Sequence, residues 1–203
     1  HFELFREQCI MKSWLTGVCC LVLIGSAVVS ATQEHATSME SSLEEFHEFS
    51  QAIQGRWRSE IIWINDWPGY GKRGETETGF AEFQISHNGR VVTGREYAGP
   101  GSDRSLLYYD VRKKQIIQQV VSSGGNLFTH LIYKNDGEWN YKIMGSTGEG
   151  KEITGSAIRY ISDEGQTHKW IGEMFIDGER LDPLRDTYRR IGQEHLAPGK
   201  ALT

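Results

Sequence analysis

The stretch KNDGEWNYKIM, Lys134 to Met144, decides the fold of this 203-residue chain. Asn135, Asp136 and Gly137 carry the chemistry of a tight hairpin turn, which needs positive φ angles that Asn, Asp and Gly adopt at least cost. Directly after them, Trp139, Tyr141 and Ile143 alternate with Glu138, Asn140 and Lys142. A period of two puts the large side chains on one face and the polar ones on the other, so the run is a strand with one buried and one wet face.

The same grammar recurs on both sides of it. Trp57, Ser59, Ile61 and Trp63 alternate with Arg56, Arg58, Glu60 and Ile62, and Ala81, Phe83 and Ile85 alternate with Phe80, Glu82 and Gln84. Further turn signals stand at His87, Asn88 and Gly89, at Asp163, Glu164 and Gly165, and at Asp177 and Gly178. Strands are expected near 55–64, 75–86, 90–98, 104–110, 115–122, 126–134, 138–144, 151–161, 166–177 and 186–191. Hairpin links of this kind join each strand to its sequence neighbour. An open sheet of about ten such strands would expose two edges, and closure removes that hazard. The predicted fold class is therefore all-β, an antiparallel up-and-down β-barrel, with a two-sheet sandwich as the alternative. Two stretches depart from the hairpin rhythm, Asn65 to Gly74 with its Trp67 and Tyr70, and Gly99 to Asp103. Loops longer than a fold requires tend to sit at binding mouths, and both are expected there.

Ahead of the first strand, Ser42 and Glu45 form a capping box, and Leu43, Phe46, Phe49 and Ile53 recur at helical spacing, which predicts one short N-terminal helix. Residues 32–42 read as a flexible polar leader, and residues 43–203 as the barrel domain. Further back, Met11 and Lys12 precede an uncharged run from Trp14 to Val29 that ends on small residues at Ser30 and Ala31. That order of parts is expected of a secretory signal peptide over residues 11–31, cut near Ala31, which would make the mature protein secreted or periplasmic. Residues 1–10 are expected to be upstream translation without a fold. Cys9, Cys19 and Cys20, the three cysteines of the chain, all precede the expected cut. The domain itself thus has no disulfide scaffold and no thiolate for catalysis or metal binding. The formal net charge of −5 is spread among interspersed charges of both signs with no basic block, so nucleic acid is not an expected partner, nor is a membrane once the signal is removed.

Gly55, Arg56 and Trp57 make a G-x-W at the head of the first strand, and Tyr188, Arg189 and Arg190 stand in the last one. This resembles the lipocalin and calycin pattern, in which the tryptophan closes the barrel base and a terminal arginine lies across its indole. A cation–π contact of that kind caps an open end with a planar, well-satisfied group. Arg189 and Arg190 point to opposite faces, so one of them can cover Trp57, and motif position favours Arg190. From about Gly55 to Ile191, with Glu96 and Tyr97 on the third strand and Tyr109 and Asp110 ending the fourth, the order of features is similar to the DUF1579 family of exported, lipocalin-like bacterial proteins. The resemblance implies the barrel fold and leaves the function open.

The candidate ligand-binding residues are the expected inward aromatics Trp57, Trp63, Trp139, Tyr141 and Trp170, together with Tyr97 and Arg159. Six tryptophans in one chain favour a site for a flat or apolar ligand. Arg159 shares its face with Gly155 and Ala157, which would leave room for a ligand carboxylate, or else it is an outward arginine in a surface pair. Asp182 and Asp186 read as solvated surface charge, as do Glu173 and Glu179. His130 and His168 are the two histidines in strands and the candidates for a general base. No cofactor is expected, with haem on a single histidine kept open, and no second ligand stands at metal-like spacing. Three functions follow: a barrel that binds a small apolar or aromatic molecule, an isomerase or hydrolase using a histidine in the same cavity, or a structural or interaction protein with a filled core.

Overall fold

The computed structural model describes residues 38–67 and 70–192. The expected signal peptide, its cut near Ala31 and the segment before it lie outside the described residues, as do Pro68, Gly69 and the tail that includes His195. A helix α1 (Leu43–Ile53) leads into β1 (Gly55–Ile62), β2 (Thr76–Ser86), β3 (Val91–Ala98), β4 (Gly101–Asp110), β5 (Gln115–Ser122), β6 (Leu127–Asn135), β7 (Glu138–Ser146), β8 (Glu152–Ser162), β9 (Thr167–Ile176), the two-residue β10 (Glu179–Arg180) and β11 (Leu184–Gly192).

Every neighbouring pair from β1 to β9 is antiparallel, β9 pairs with β11, and β11 pairs back onto β1. The ten long strands thus close on themselves, which satisfies both edges, while β10 extends β9 alone. The turns that close the hairpins are those with the expected chemistry. Asp136 (φ 51°) and Gly137 (φ 84°) connect the paired residues Asn135 and Glu138, and Asp177 (φ 49°) and Gly178 (φ 81°) connect Ile176 and Glu179. Gly99 to Asp103 is not a loop. Gly101, Ser102 and Asp103 pair with Ala98, Tyr97 and Glu96, so the link is the two residues Gly99 and Pro100 and the strand begins three residues earlier than expected. Its glycine content serves the left-handed turn at Gly99 (φ 55°) and close packing at Gly101, where a Cβ would stand 1.9 Å from the Tyr70 ring.

Helix α1 lies over the end of the barrel that carries the β4–β5 and β6–β7 turns. Its capping box is formed, with Ser42 Oγ accepting from Glu45 N at 3.1 Å and the Glu45 carboxylate accepting from Ser42 N at 2.7 Å. Just before it, Ser41 is buried. Its N–H donates to Lys114 O (2.7 Å), its Oγ donates to Ile132 O (3.1 Å), and its carbonyl accepts from Tyr109 OH (2.9 Å). Phe46, Phe49 and Ile53 form the buried stripe, and Phe49 packs its ring 4.9 Å from Trp139. The half of the barrel nearest the helix is solid, filled by Trp57, Phe83, Val92, Leu107, Ile116, Ile132 and Trp139.

Trp57 is 1% exposed and its Nε1 donates to Ile53 O at 2.8 Å. The Arg190 guanidinium lies over its indole at 4.1 Å from the ring centroid. The same guanidinium donates to the helix-terminal carbonyls of Ala52 (2.9 Å) and Gln54 and, through Nε, to Gly165 O at 3.2 Å. One cation therefore satisfies carbonyls that the helix leaves unbonded and covers the tryptophan, so helix, first strand and last strand are tied at one point.

Candidate functional site

The opposite half of the barrel is not filled. Side chains shorten toward that end on one wall, with Ser59 on β1, Ala98 on β3 and Gly101 on β4, and a cavity of about 200 Å³ lies inside. Its other wall is apolar and aromatic: Val120, Phe128, Tyr141, Trp170 and Met174, with Leu184 and Ile61 toward the rim. Over the mouth folds the segment between β1 and β2. Trp63 and Tyr70 meet edge to face at 5.9 Å, and Tyr70 OH donates to Ser102 O (3.2 Å) while accepting from Ser123 Oγ (2.8 Å) and Gly124 N (2.6 Å). An ion pair from Arg73 to Asp182 ties this segment to the chain just before β11. Beyond it, a second depression of about 540 Å³ shares Trp67, Tyr70 and Asn126 with the cavity.

A cluster of polar groups stands in this interior. Arg159 is 7% exposed and points inward, so it is not the surface arginine that one expectation allowed. Its Nε donates to Tyr141 OH at 2.9 Å, and its guanidinium carbon lies 5.6, 5.9 and 5.2 Å from the ring centroids of Tyr141, Trp170 and Tyr188. Across from it Tyr188 OH donates to Glu96 Oε2 at 3.2 Å. Glu96 is the cross-strand partner of Asp103, two acids side by side on the inner face. Asp186 is only 4% exposed and accepts from Ile62 N at 3.2 Å, which corrects its expected place on the solvated surface. It follows Leu184 and precedes Tyr188 on the inward parity of β11, and the strand has no bulge there to turn it out. Asp182 is partly exposed at the surface, in keeping with the expectation, and so is Glu173, which pairs with Arg180.

Burial sets the protonation of this cluster. Withdrawal from water pushes the Asp103 carboxyl up to about 8, with the neighbouring Glu96 charge adding to it. Asp186 is pushed up to about 7, again by burial first. Glu96 moves the same way for the same reason, opposed by the positive charge of Arg159. His130 is lowered to about 3 by burial and by Arg159, and His168 likewise to about 3 by burial, Arg159 and Arg190. Near neutral pH the histidines are uncharged, Asp103 keeps its proton and Asp186 titrates, so the charge in the cavity that does not change with pH is that of Arg159, whose guanidinium does not deprotonate.

The residues singled out from the sequence thus fall into separate places. Trp63, Tyr141, Arg159 and Trp170 line the cavity. Trp57 lies at the closed end between Arg190 and His168, whose ring centroid is 4.2 Å away, and Trp139 packs under Phe49 in the solid half. The Tyr97 ring is on the outer face, 43% exposed beneath the Arg104 guanidinium at 5.3 Å, and only its position on β3 touches the rim. His130 faces the cavity with Nδ1 3.3 Å from Gln118 Oε1, whereas His168 is buried behind Trp57. Glu96, Asp103 and Asp186 were not expected in the site. Their one signal was parity: each shares a face with small or apolar neighbours, Gly94 and Ala98, Gly101 and Ser105, and Leu184 and Tyr188.

Among the described residues no group of three His, Cys, Asp or Glu side chains could hold a metal ion. In comparison with known proteins, no family model and no curated protein matches the sequence.

Proposed function

We propose that the barrel binds a small apolar or aromatic molecule in its interior, entering at the end covered by Trp67 and Tyr70. The observation that carries this is the half-filled barrel itself. Interiors are ordinarily packed to crystal-like density, and here one half is, while the other keeps about 200 Å³ lined by Trp63, Phe128, Trp170 and Met174. A filled structural core accounts for the first half and not for the second. An isomerase or hydrolase using a histidine needs a base that is protonated and released near neutral pH, and a ring held at about 3 answers that poorly. The resemblance to DUF1579 barrels suits the binding reading without adding to it. Export is proposed on the Met11–Ala31 segment alone, and a mature N-terminus mapped far from Ala31 would remove it.

Titration of the full chain with N-phenyl-1-naphthylamine, a neutral apolar fluorophore, tests the binding reading. Saturable enhancement at one dye per chain is expected, with quenching of tryptophan emission in parallel because Trp63, Trp67 and Trp170 border the cavity. Ala98→Trp, which fills the space from β3, should abolish both. A linear, unsaturated response, or saturation unaffected by Ala98→Trp, would count against an interior site.

A further inference from the structure

We infer that the ligand carries a carboxylate, held on the terminal nitrogens of Arg159 beside the indole N–H of Trp170, with its apolar part directed to the barrel mouth. This rests on the binding reading above and adds the chemical class of the ligand.

Arg159 has five N–H donors and spends one, from Nε to Tyr141 OH. No carboxylate among the described residues stands within the 4.0 Å of an ion pair with it. Glu96, near enough to feel its charge, accepts instead from Tyr188. A guanidinium that is 93% withdrawn from solvent and left without a counter-charge is costly, since attraction to aromatic faces offsets only part of the lost hydration. A second unspent donor adjoins it. Arg159 and Trp170 are direct cross-strand partners on β8 and β9, both line the cavity, and Trp170 Nε1 is buried with no acceptor. Two neighbouring side chains therefore present donors that nothing in the chain answers, which is the complement of an acceptor-rich, negatively charged head. The planar fork of an arginine matches the two oxygens of a carboxylate in particular.

The acid wall does not reverse this choice. An ammonium head would have to go to Glu96, Asp103 and Asp186, and burial raises all three carboxyls and so weakens them as counter-charges, while the arginine keeps its charge throughout. The proton on Asp103 also lowers the repulsion that an incoming carboxylate meets on that wall. The other groups facing Arg159, namely Tyr141 on β7, His130 on β6 and Tyr188 on β11, are uncharged there. Above the arginine the walls turn apolar through Val120, Phe128, Met174 and Leu184.

Calorimetric titration of the full chain at pH 7 with octanoate, octanol and octylamine separates the possibilities, since the three share one tail. Octanoate is expected to bind at least tenfold more tightly than octanol, and octylamine more weakly than octanol. Arg159→Met should bring octanoate down to the affinity of octanol without lowering the melting temperature, because it removes an unpaired buried charge; a purely structural arginine would instead lower the melting temperature and leave the preference intact. Should Arg159→Met fail to fold, Trp170→Phe keeps a ring and removes one donor, and it should weaken octanoate several-fold more than octanol. If octanol binds and octanoate binds no better, or octylamine binds best, the carboxylate inference falls and the binding reading stands. If none of the three binds or displaces N-phenyl-1-naphthylamine, both fall.

Discussion

Replacing Asp103 and Asp186 by Asn should flatten a pH dependence of stability that the wild-type barrel is expected to show on the alkaline side. Both carboxyls have folded-state values, about 8 and about 7, far above the ~3.9 of an unfolded aspartate. The folded state therefore binds more protons than the unfolded one between about pH 4 and 8. Stability from these groups is complete below the unfolded value and is lost as pH rises through the folded values. From pH 6.5 to 8.5, at about 1.36 kcal/mol per pKa unit, the two together lose between about 2 and 3 kcal/mol. His130 and His168 act in the opposite sense, since their folded values of about 3 lie below the ordinary one. Over this window only the tail of their unfolded titration is left, which returns about 0.8 kcal/mol for the pair. The net loss is about 2 kcal/mol, or a fall in melting temperature of roughly 4–8 °C for a domain of this size. Thermal unfolding followed by tryptophan emission at the two pH values measures it. In Asp103→Asn/Asp186→Asn, where the amides imitate the protonated acids, most of the fall should be lost, with Glu96 left to act in the same sense. A wild-type melting temperature that does not drop between pH 6.5 and 8.5, or an equal drop in the double variant, would refute this account of the acid wall.

The remaining predictions concern the two ends of the barrel. Arg190→Met should destabilise the chain by about 2–4 kcal/mol, since it removes the cover of Trp57 and three bonds to carbonyls, two of them at the end of α1. Chemical denaturation checks this, and a double-mutant cycle with Trp57→Leu should give a coupling of about 0.5–2 kcal/mol, whereas strict additivity would show the stacking to be idle. At the mouth, Gly101→Val places a Cβ 1.9 Å from Tyr70 Cδ1 and must push the ring off the Gly124 amide. Amide exchange at Gly124 is expected to accelerate at least tenfold while the strands keep their protection; unchanged exchange would mean that Tyr70 does not hold the mouth segment down.

The barrel was legible because two independent signals agreed at hairpins such as that of β6 and β7. Alternation at Trp139, Tyr141 and Ile143 fixed which face was buried, and Asp136 and Gly137 fixed where the strand turned. At Gly99 to Asp103 the signals disagreed, and composition misled: glycine there serves both a turn and the passage of the Tyr70 ring over a strand. The minor strand β10, two residues long, is too short for any period to register. The pairing of Trp57 with an arginine was what the resemblance to the lipocalin pattern implied, yet the second ring against it, His168, comes from β9, and only the closed register brings it there.

The acids of the cavity were missed for a different reason. Reading hydropathy along a strand assumes that the inner face is apolar, and a charged residue is then assigned outward by its chemistry. In a barrel whose interior is partly polar that assignment fails at the residues that matter most. Parity does not share the weakness. Once Leu184, Tyr188 and Arg190 are known to face inward, Asp186 must do so too, unless a bulge intervenes, and β11 shows none between Leu184 and Arg189. The same step places Glu96 between Gly94 and Ala98, and Asp103 between Gly101 and Ser105. Glu96 and Asp103 are each flanked on their own face by residues too small to cover them, so the two side chains meet in the space those neighbours leave. Opposite them the large residues of β6, β7 and β9 crowd the other wall and bring Arg159 and Trp170 together. The asymmetry of side-chain size around the ring therefore creates the volume and sorts the charge within it, Glu96 and Asp103 on the thin wall and the arginine against the aromatic one, and both follow from register and residue size.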